Sequence, residues 1–278
     1  MPATIKDLFE ARFGLETQDG ADQPAEGTVA QILAHRTRRR FLDRPIDQAL
    51  LRIVLACGFS APSKSDLQQA SVIVVDDADL RAEITGLLPS MPWIAEAPVF
   101  LVMLADSRRV RRLCSLRDRP FANDHLDAVI NAAVDAGLVM QNIITAAESV
   151  GLGCCPISVI RNHAATVSAL FALPDQVFPL AGLCLGWPAD DPPVSLRLPP
   201  ALTVHHNRYD DQEFSALVDD YDRRRDARQP IDPSAQRRVR AFGRSDYYGW
   251  SEDKARQVSR PEREDFGTFL KSRGLSLD

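Results

Sequence analysis

Lysine is scarce in this chain. Of its 33 basic residues only Lys6, Lys64, Lys254 and Lys271 are lysine, so an isolated arginine carries little information outside a motif. A surplus of positive charge is also lacking: 38 acidic residues leave a formal charge of −5. That balance excludes a global basic field for nucleic acid or an anionic membrane. Cysteine is limited to Cys57, Cys114, Cys154, Cys155 and Cys184, with no CxxC spacing. This is not a disulfide framework, and free thiols fit a reducing cytoplasm. No Gly-Lys pair occurs, which removes the phosphate loop of nucleotide hydrolases, and no GxSxG elbow is present. His205-His206 lacks the i, i+4 spacing and the neighbouring cysteines of a zinc site. Gly151-Leu152-Gly153 follows a helical pattern and precedes Cys154-Cys155-Pro156, unlike a dinucleotide fingerprint. Uninterrupted apolar runs fall short of the ~20 residues of a membrane span. Met1 to Phe13 mixes Lys6 and Arg12 with Asp7 and Glu10 and has no apolar stretch, so no secretory signal is expected.

What is present is a soluble globular composition: 278 residues, 45% apolar and 26% charged, enough for one large domain or two ordinary ones. Thr4 and Asp7 are placed to cap a short helix bearing Ile5, Leu8, Phe9 and Phe13, and residues 18–27 read as a polar linker. Helical spacing is expected over 28–34, after Asp47, over 80–88, 164–173 and 221–228, and over 262–273. The longest periodic segment, 123–150, has a stripe of Leu126, Ile130, Val134, Leu138, Ile144 and Ala147. Val129, Ala133, Ala136, Val139, Met140 and Ile143 widen it until the helix is apolar nearly all round, which suits a core or a subunit interface. Apolar runs at 71–75 and 99–104 predict strands with both faces covered, and 155–160 and 177–185 supply further strands. Strands alternating with helices indicate a layered α/β or α+β domain. Residues 188–200, rich in proline, predict an extended crossing.

Three clusters carry chemistry. The run His35-Arg36-Thr37-Arg38-Arg39-Arg40-Phe41 fits an anion site of guanidiniums beside a hydroxyl, and equally a solvated basic turn. Ser60-Ala61-Pro62-Ser63-Lys64-Ser65-Asp66-Leu67-Gln68 fits a polar loop around a heterocycle edge, or a surface turn. Gly151 to Asn162 offers glycines for close backbone approach to a flat ring, or simply for capping the helix before them. Cys154, Cys155 and Cys184 lie in apolar runs and read as small buried hydrophobes.

In order and spacing these clusters resemble the nitroreductase family of flavoenzymes, within it the NADPH-dependent, oxygen-insensitive nitroreductase and flavin reductase group. The most specific piece is Phe178-Pro179-Leu180-Ala181-Gly182-Leu183-Cys184-Leu185-Gly186-Trp187-Pro188-Ala189-Asp190, supported by Ala146-Ala147-Glu148-Ser149-Val150-Gly151-Leu152-Gly153. The resemblance implies an α+β fold: a central mixed sheet flanked by helices, a long interface helix and an extended C-terminal excursion, in an intertwined homodimer with FMN between subunits. Residues 1–27 would be an N-terminal extension and 28–206 the FMN-binding core. Residues 207–278 would form a C-terminal extension contributing to the dimer and the substrate pocket.

Carried over residue by residue, the resemblance puts His35, Arg36, Thr37, Arg38 and Arg39 in the first flavin-binding segment. The start of that segment would meet the phosphate, and Arg39 the N1–C2=O edge. Ser63, Ser65 and Gln68 match the second segment, and Pro156, Ile157, Ser158 and Val159 match a stretch against the ring near N5. Arg197 matches a late basic residue that closes on the phosphate, with Ser195 two residues before it. Arg161 and Arg260 match positions at the substrate pocket. Two departures stand out: the group usually has lysine at 195 and a Gly-Gly pair at 158–159. The implied chemistry needs no catalytic acid, base or metal. NADPH (or NADH) gives a hydride to flavin N5 and leaves, and two electrons pass to a nitroaromatic, a quinone or free flavin. A reductive dehalogenase and a flavin-consuming oxidase share this fold and are the alternatives. A non-enzymatic protein binding acidic partners or nucleic acid through its arginines is disfavoured by the negative charge.

Overall fold

The computed structural model describes residues 3–278. In chain order the helices are α1 (Ile5–Phe13), α2 (Gly27–Ala34), α3 (Gln48–Phe59), α4 (Ala78–Gly86), α5 (Trp93–Glu96), α6 (Arg108–Leu116), α7 (Leu126–Ser149), α8 (Ala164–Leu170), α9 (Pro200–Thr203), α10 (Phe214–Arg228), α11 (Val239–Phe242), α12 (Trp250–Val258) and α13 (Phe266–Ser272). The strands are β1 (Ala70–Val74), β2 (Val99–Asp106), β3 (Gly153–Ile157) and β4 (Val177–Gly186). They build two compact units. One joins the residues up to Arg36 to Pro193–Glu262, and the other joins Thr37–Pro192 to Arg263–Asp278.

The second unit holds one sheet in the order β1-β2-β4-β3. Every pairing among the described strands is antiparallel, which corrects the expected mixed sheet to an antiparallel one. Apolar runs mark where strands lie but do not encode their direction. Successive side chains of β2 point to opposite faces. Leu101, Met103 and Ala105 join Ala132, Ala136, Val139 and Ile143 of α7 in one apolar layer. Phe100, Val102 and Leu104 join Ile84, Ile94 and Ile160 in the other. Both faces are therefore covered, and the sequence run shows no alternation. The β2–β4 register slips between Met103 and Leu104, which pair with Ala181 and Pro179 and leave Leu180 as the extra residue of a bulge. A bulge tolerates Pro179, which has no N–H for the ladder, and Pro156 is tolerated because β3 is an edge strand. The expected strand over 155–160 stops at Ile157, and Ser158–His163 forms tight helical turns instead.

α7 passes the length and hydropathy test for a membrane span, with mean hydropathy 1.3. Here one of its faces forms the sheet's apolar layer. The opposite stripe of Leu126, Ile130, Val134 and Leu138 is 37–53% exposed. α3 packs close against α7 at Gly58, where a Cβ would collide with Ile143.

In the first unit, Thr4 and Asp7 form the expected capping box of α1: Thr4 Oγ1 accepts from the Asp7 N–H at 3.2 Å, and Asp7 Oδ2 from the Thr4 N–H at 3.0 Å. α10 packs against α12 through Tyr221, whose ring stands edge-on to Trp250 at 5.2 Å and whose hydroxyl donates to Leu196 O at 3.1 Å.

Candidate functional site

In the second unit the segment after Thr37 runs beside the sheet edge. Arg38 N–H donates to Cys154 O at 2.9 Å, Leu42 N–H to Trp187 O at 2.8 Å, and Ala189 N–H to Arg40 O at 3.0 Å. Gly153 makes this approach possible, since a Cβ there would lie 2.6 Å from Arg38 Cγ. The Arg38 guanidinium is drawn off to Asp191 Oδ1, at 2.6 Å, and to the Asp190 carbonyl. It acts as a strut for its own segment. Arg39, the next residue, is exposed, with its guanidinium 5.6 Å from the centre of the Trp93 ring. It also lies beside Cys155, whose thiol burial pushes up while the Arg39 charge pulls it partly back. Burial likewise raises Cys154 and Cys184. These are poor thiolates, in keeping with the packing role expected of them.

The loop at Ser63 is built around a residue the sequence reading did not single out. Asp135, 2% exposed in the middle of α7, accepts from Ser63 Oγ at 2.7 Å, Lys64 N–H at 3.1 Å and Gln69 N–H at 2.9 Å. Ser63 Oγ in turn accepts from the Gln68 N–H at 2.7 Å. Ser65, Asp66 and Gln68 all take positive φ, between 50° and 59°. Non-glycine residues rarely adopt that region, so the loop is held there by its bonds. Arg109 secures the far side, donating to the Gln68 and Ala70 carbonyls and to Ser71 Oγ. Phe59, Ser63, Gln68, Gln69, Arg109 and Asp135 line a cleft of about 340 Å³. Gln69 Nε2 is buried with no partner among the described residues. A lone carboxylate on the apolar face of the predicted long helix was the available signal for Asp135. Arg109 had none in so arginine-rich a chain.

At the end of β3, Pro156 and Ser158 are exposed and Val159 is half-buried, while Ile157 is buried in the apolar layer. Ile157 can therefore offer only its backbone to a ligand. Arg161 donates to the carbonyl of Leu180, the bulge residue. Burial, and then the nearby Arg263 charge, lower its pKa. No hydrogen bond among the described residues joins the Ser63–Gln68 loop to Arg39 or to Pro156–Val159.

In the first unit, His35 and Arg36 follow α2, and Ser195 and Arg197 lie in the extended crossing. Arg12 on α1 joins the two segments through their backbone, donating to Leu33 O and His35 O on one side and Ser195 O on the other. Arg36 Nε donates to Ala34 O at 3.2 Å. Arg197 and Arg260 are exposed.

Residues 32–187 match the nitroreductase family and residues 195–278 its C-terminal domain. The chain belongs to the nitroreductase family. This nitroreductase is 38% identical over 195 residues to the oxygen-insensitive NADPH nitroreductase of Salmonella typhimurium, covering 69% of this chain and 80% of the relative. It is 31% identical over 249 residues to the NADPH-flavin oxidoreductase of Vibrio harveyi, covering 90% and 98%. The solved NADPH:FMN oxidoreductase from Vibrio harveyi, in complex with NAD+, superposes with a TM-score of 0.76 at 31% identity, again over 90% and 98% of the two chains. The α+β fold expected from the family resemblance is the one observed.

Proposed function

We infer that this chain carries two electrons at a time from NADPH, in preference to NADH, to a small acceptor such as a nitroaromatic, a quinone or free flavin, with donor and acceptor using one site in turn. It is an FMN-dependent NAD(P)H oxidoreductase, and the match to both nitroreductase segments carries this reading. The residues suit FMN by the chemistry of their donors. Exposed guanidiniums at Arg39 and Arg197, hydroxyls at Thr37 and Ser195, and the partnerless amide nitrogen of Gln69 are groups that recognise a phosphate and a polar ring edge. When bound, FMN supplies the hydride-accepting N5 and returns the electrons to the acceptor.

The protein's part is to bind and to tune. His35, Arg36, Ser195 and Arg197 take the phosphate by charge-assisted bonds. Arg39, steadied over Trp93, would hold the N1–C2=O edge, supplying a fixed positive charge there. Pro156, the Ile157 backbone, Ser158 and Val159 would hold the ring, and Ser63, Ser65 and Gln68 would complete its polar surround. Arg161 and Arg260 face the substrate. We place Arg38 with the first segment as its anchor to Asp190 and Asp191, not as a ligand. A homodimer follows from the exposed apolar stripe of α7, and the five free cysteines suit the cytoplasm.

The test is the visible spectrum of the purified protein, followed by anaerobic NADPH. A flavin spectrum that bleaches with NADPH and returns on adding a quinone or nitroaromatic, with parallel double-reciprocal lines, is the expected result. A colourless protein that takes up no FMN would overturn the reading.

A further inference from the structure

Arg12 lies on α1, ahead of both segments that match the family, which begin at residues 32 and 195. A charged residue in such a lead-in would ordinarily face solvent, yet Arg12 is only 5% exposed. Its Nε and Nη2 donate to Leu33 O at 2.9 and 2.7 Å, and Nη2 also donates to His35 O. Its Nη1 donates to Ser195 O at 3.0 Å. Its own carbonyl accepts from the Arg197 N–H at 2.9 Å. One residue thus binds the backbone next to Arg36 on one side and the backbone of both Ser195 and Arg197 on the other.

The chemistry of this clamp is specific to arginine. Three carbonyl oxygens from two chain segments converge on one point. Their dipoles repel one another unless a cation lies between them, and a buried carbonyl without a donor is costly. A guanidinium presents its N–H groups in a rigid planar fork, so it fixes the spacing and direction of the carbonyls it binds. A lysine ammonium is a compact point charge on a flexible stem and cannot span them in the same geometry.

We propose that Arg12 is a positioning residue for the FMN phosphate, setting the separation of the Arg36 and Ser195–Arg197 segments from a helix that lies outside the family's matched segments. The proposal rests on the reading that Arg36 and Arg197 meet the phosphate. Arg12 touches the phosphate-binding residues through their backbones and takes no part in electron transfer.

Riboflavin, which lacks the phosphate, separates this role from a merely structural one. FMN and riboflavin affinities are measured by flavin fluorescence on Arg12→Met, Arg12→Lys and Arg197→Gln, each freed of flavin and reloaded beside the parent protein. Arg12→Met is expected to weaken FMN by roughly tenfold or more while riboflavin changes by less than about twofold, with Arg12→Lys in between. Equal losses for both flavins, or an unchanged FMN affinity where Arg197→Gln weakens it, would overturn the role of Arg12. An unchanged FMN-to-riboflavin ratio in Arg197→Gln would instead overturn the phosphate reading beneath it. If Arg12→Met does not fold, the ratio in Arg12→Lys decides: a lower FMN preference supports the clamp, and a parental one refutes it.

Discussion

Asp135 accepts a hydrogen bond from Ser63 at 2.7 Å, tying the middle of the long helix to a loop 72 residues earlier. The same carboxylate holds the Lys64 and Gln69 N–H groups, and between them lie three residues in left-handed backbone. Asp135→Ala leaves these donors without their acceptor. Since an unmet buried donor costs about 1–3 kcal/mol, the variant is expected to lose about 3 kcal/mol of stability, and the Ser63–Gln68 backbone to exchange its amide hydrogens faster. Urea unfolding with hydrogen exchange checks this. A loss below about 0.5 kcal/mol, the range of ordinary surface changes, would mean the loop is held elsewhere.

Arg39→Ala removes a charge from the proposed ring edge while leaving the segment anchored through Arg38. Reduction by NADPH in stopped flow is expected to slow by roughly tenfold, with FMN affinity changing by less than about threefold. Trp93→Ala removes the ring beneath the guanidinium, an interaction of about 0.5–1 kcal/mol, together with its packing against the apolar layer of Phe100 and Ile94, and should slow reduction to a smaller extent than Arg39→Ala. Equal effects of Arg39→Ala on binding and on reduction would show that Arg39 serves the phosphate instead.

The stripe of Ile130 and Val134 on α7 tests the dimer. Glutamate at either position puts a charge where the proposed interface is dry, and Ile130→Glu with Val134→Glu is expected to sediment as a monomer with reduced FMN content. Both residues are about half exposed in the single chain, so its fold should survive, as far-ultraviolet circular dichroism would show. A dimer unchanged in mass would place the interface elsewhere.

Asp253 gives the pH dependence of the first unit a definite sign. Burial alone would push its carboxyl up, but Lys254, Tyr248 and Arg237 outweigh that and hold it below the usual carboxylate range. A depressed folded pKa contributes stability above the unfolded value of about 3.9, and that stability is lost as pH falls through the lower folded value. Below about pH 4 the parent protein is therefore expected to lose melting temperature more steeply than Asp253→Asn. Parallel profiles for the two proteins would sink the assignment.

The elements legible in the sequence are those whose apolar pattern answers to one dominant layer. β2 was marked by an unbroken run and α7 by its stripe. Strand direction was not legible, because Val99 to Leu104 would read alike in a parallel sheet. α6 was missed because Arg108-Arg109-Val110-Arg111-Arg112-Leu113 offers two apolar residues among four arginines, and α12 because its buried positions include Asp253 and Arg256. At the candidate site, the basic run and the serine loop stood out by composition. Asp135, Arg109 and Arg12 act through backbone groups far away in sequence, and such partners leave no local pattern. The anchors of Arg38 at Asp190 and Asp191 left no pattern for the same reason, since they lie more than 150 residues on.

The order in which the chain supplies its two units bears on how it is made. The second unit takes Phe269, Leu270 and Leu275 into the apolar layer of β2 and β4, and Phe266 lies edge-on to Phe178 at 6.2 Å. The first unit opens with α1 and is finished only by Pro193–Glu262. On the ribosome, then, neither unit can close as it emerges. The greasy strands wait for a tail that is still being translated, while α1 waits for the crossing that Arg12 will grip. Closure of both units thus falls to segments distant in sequence from those they complete, and contacts between such distant segments form slowly.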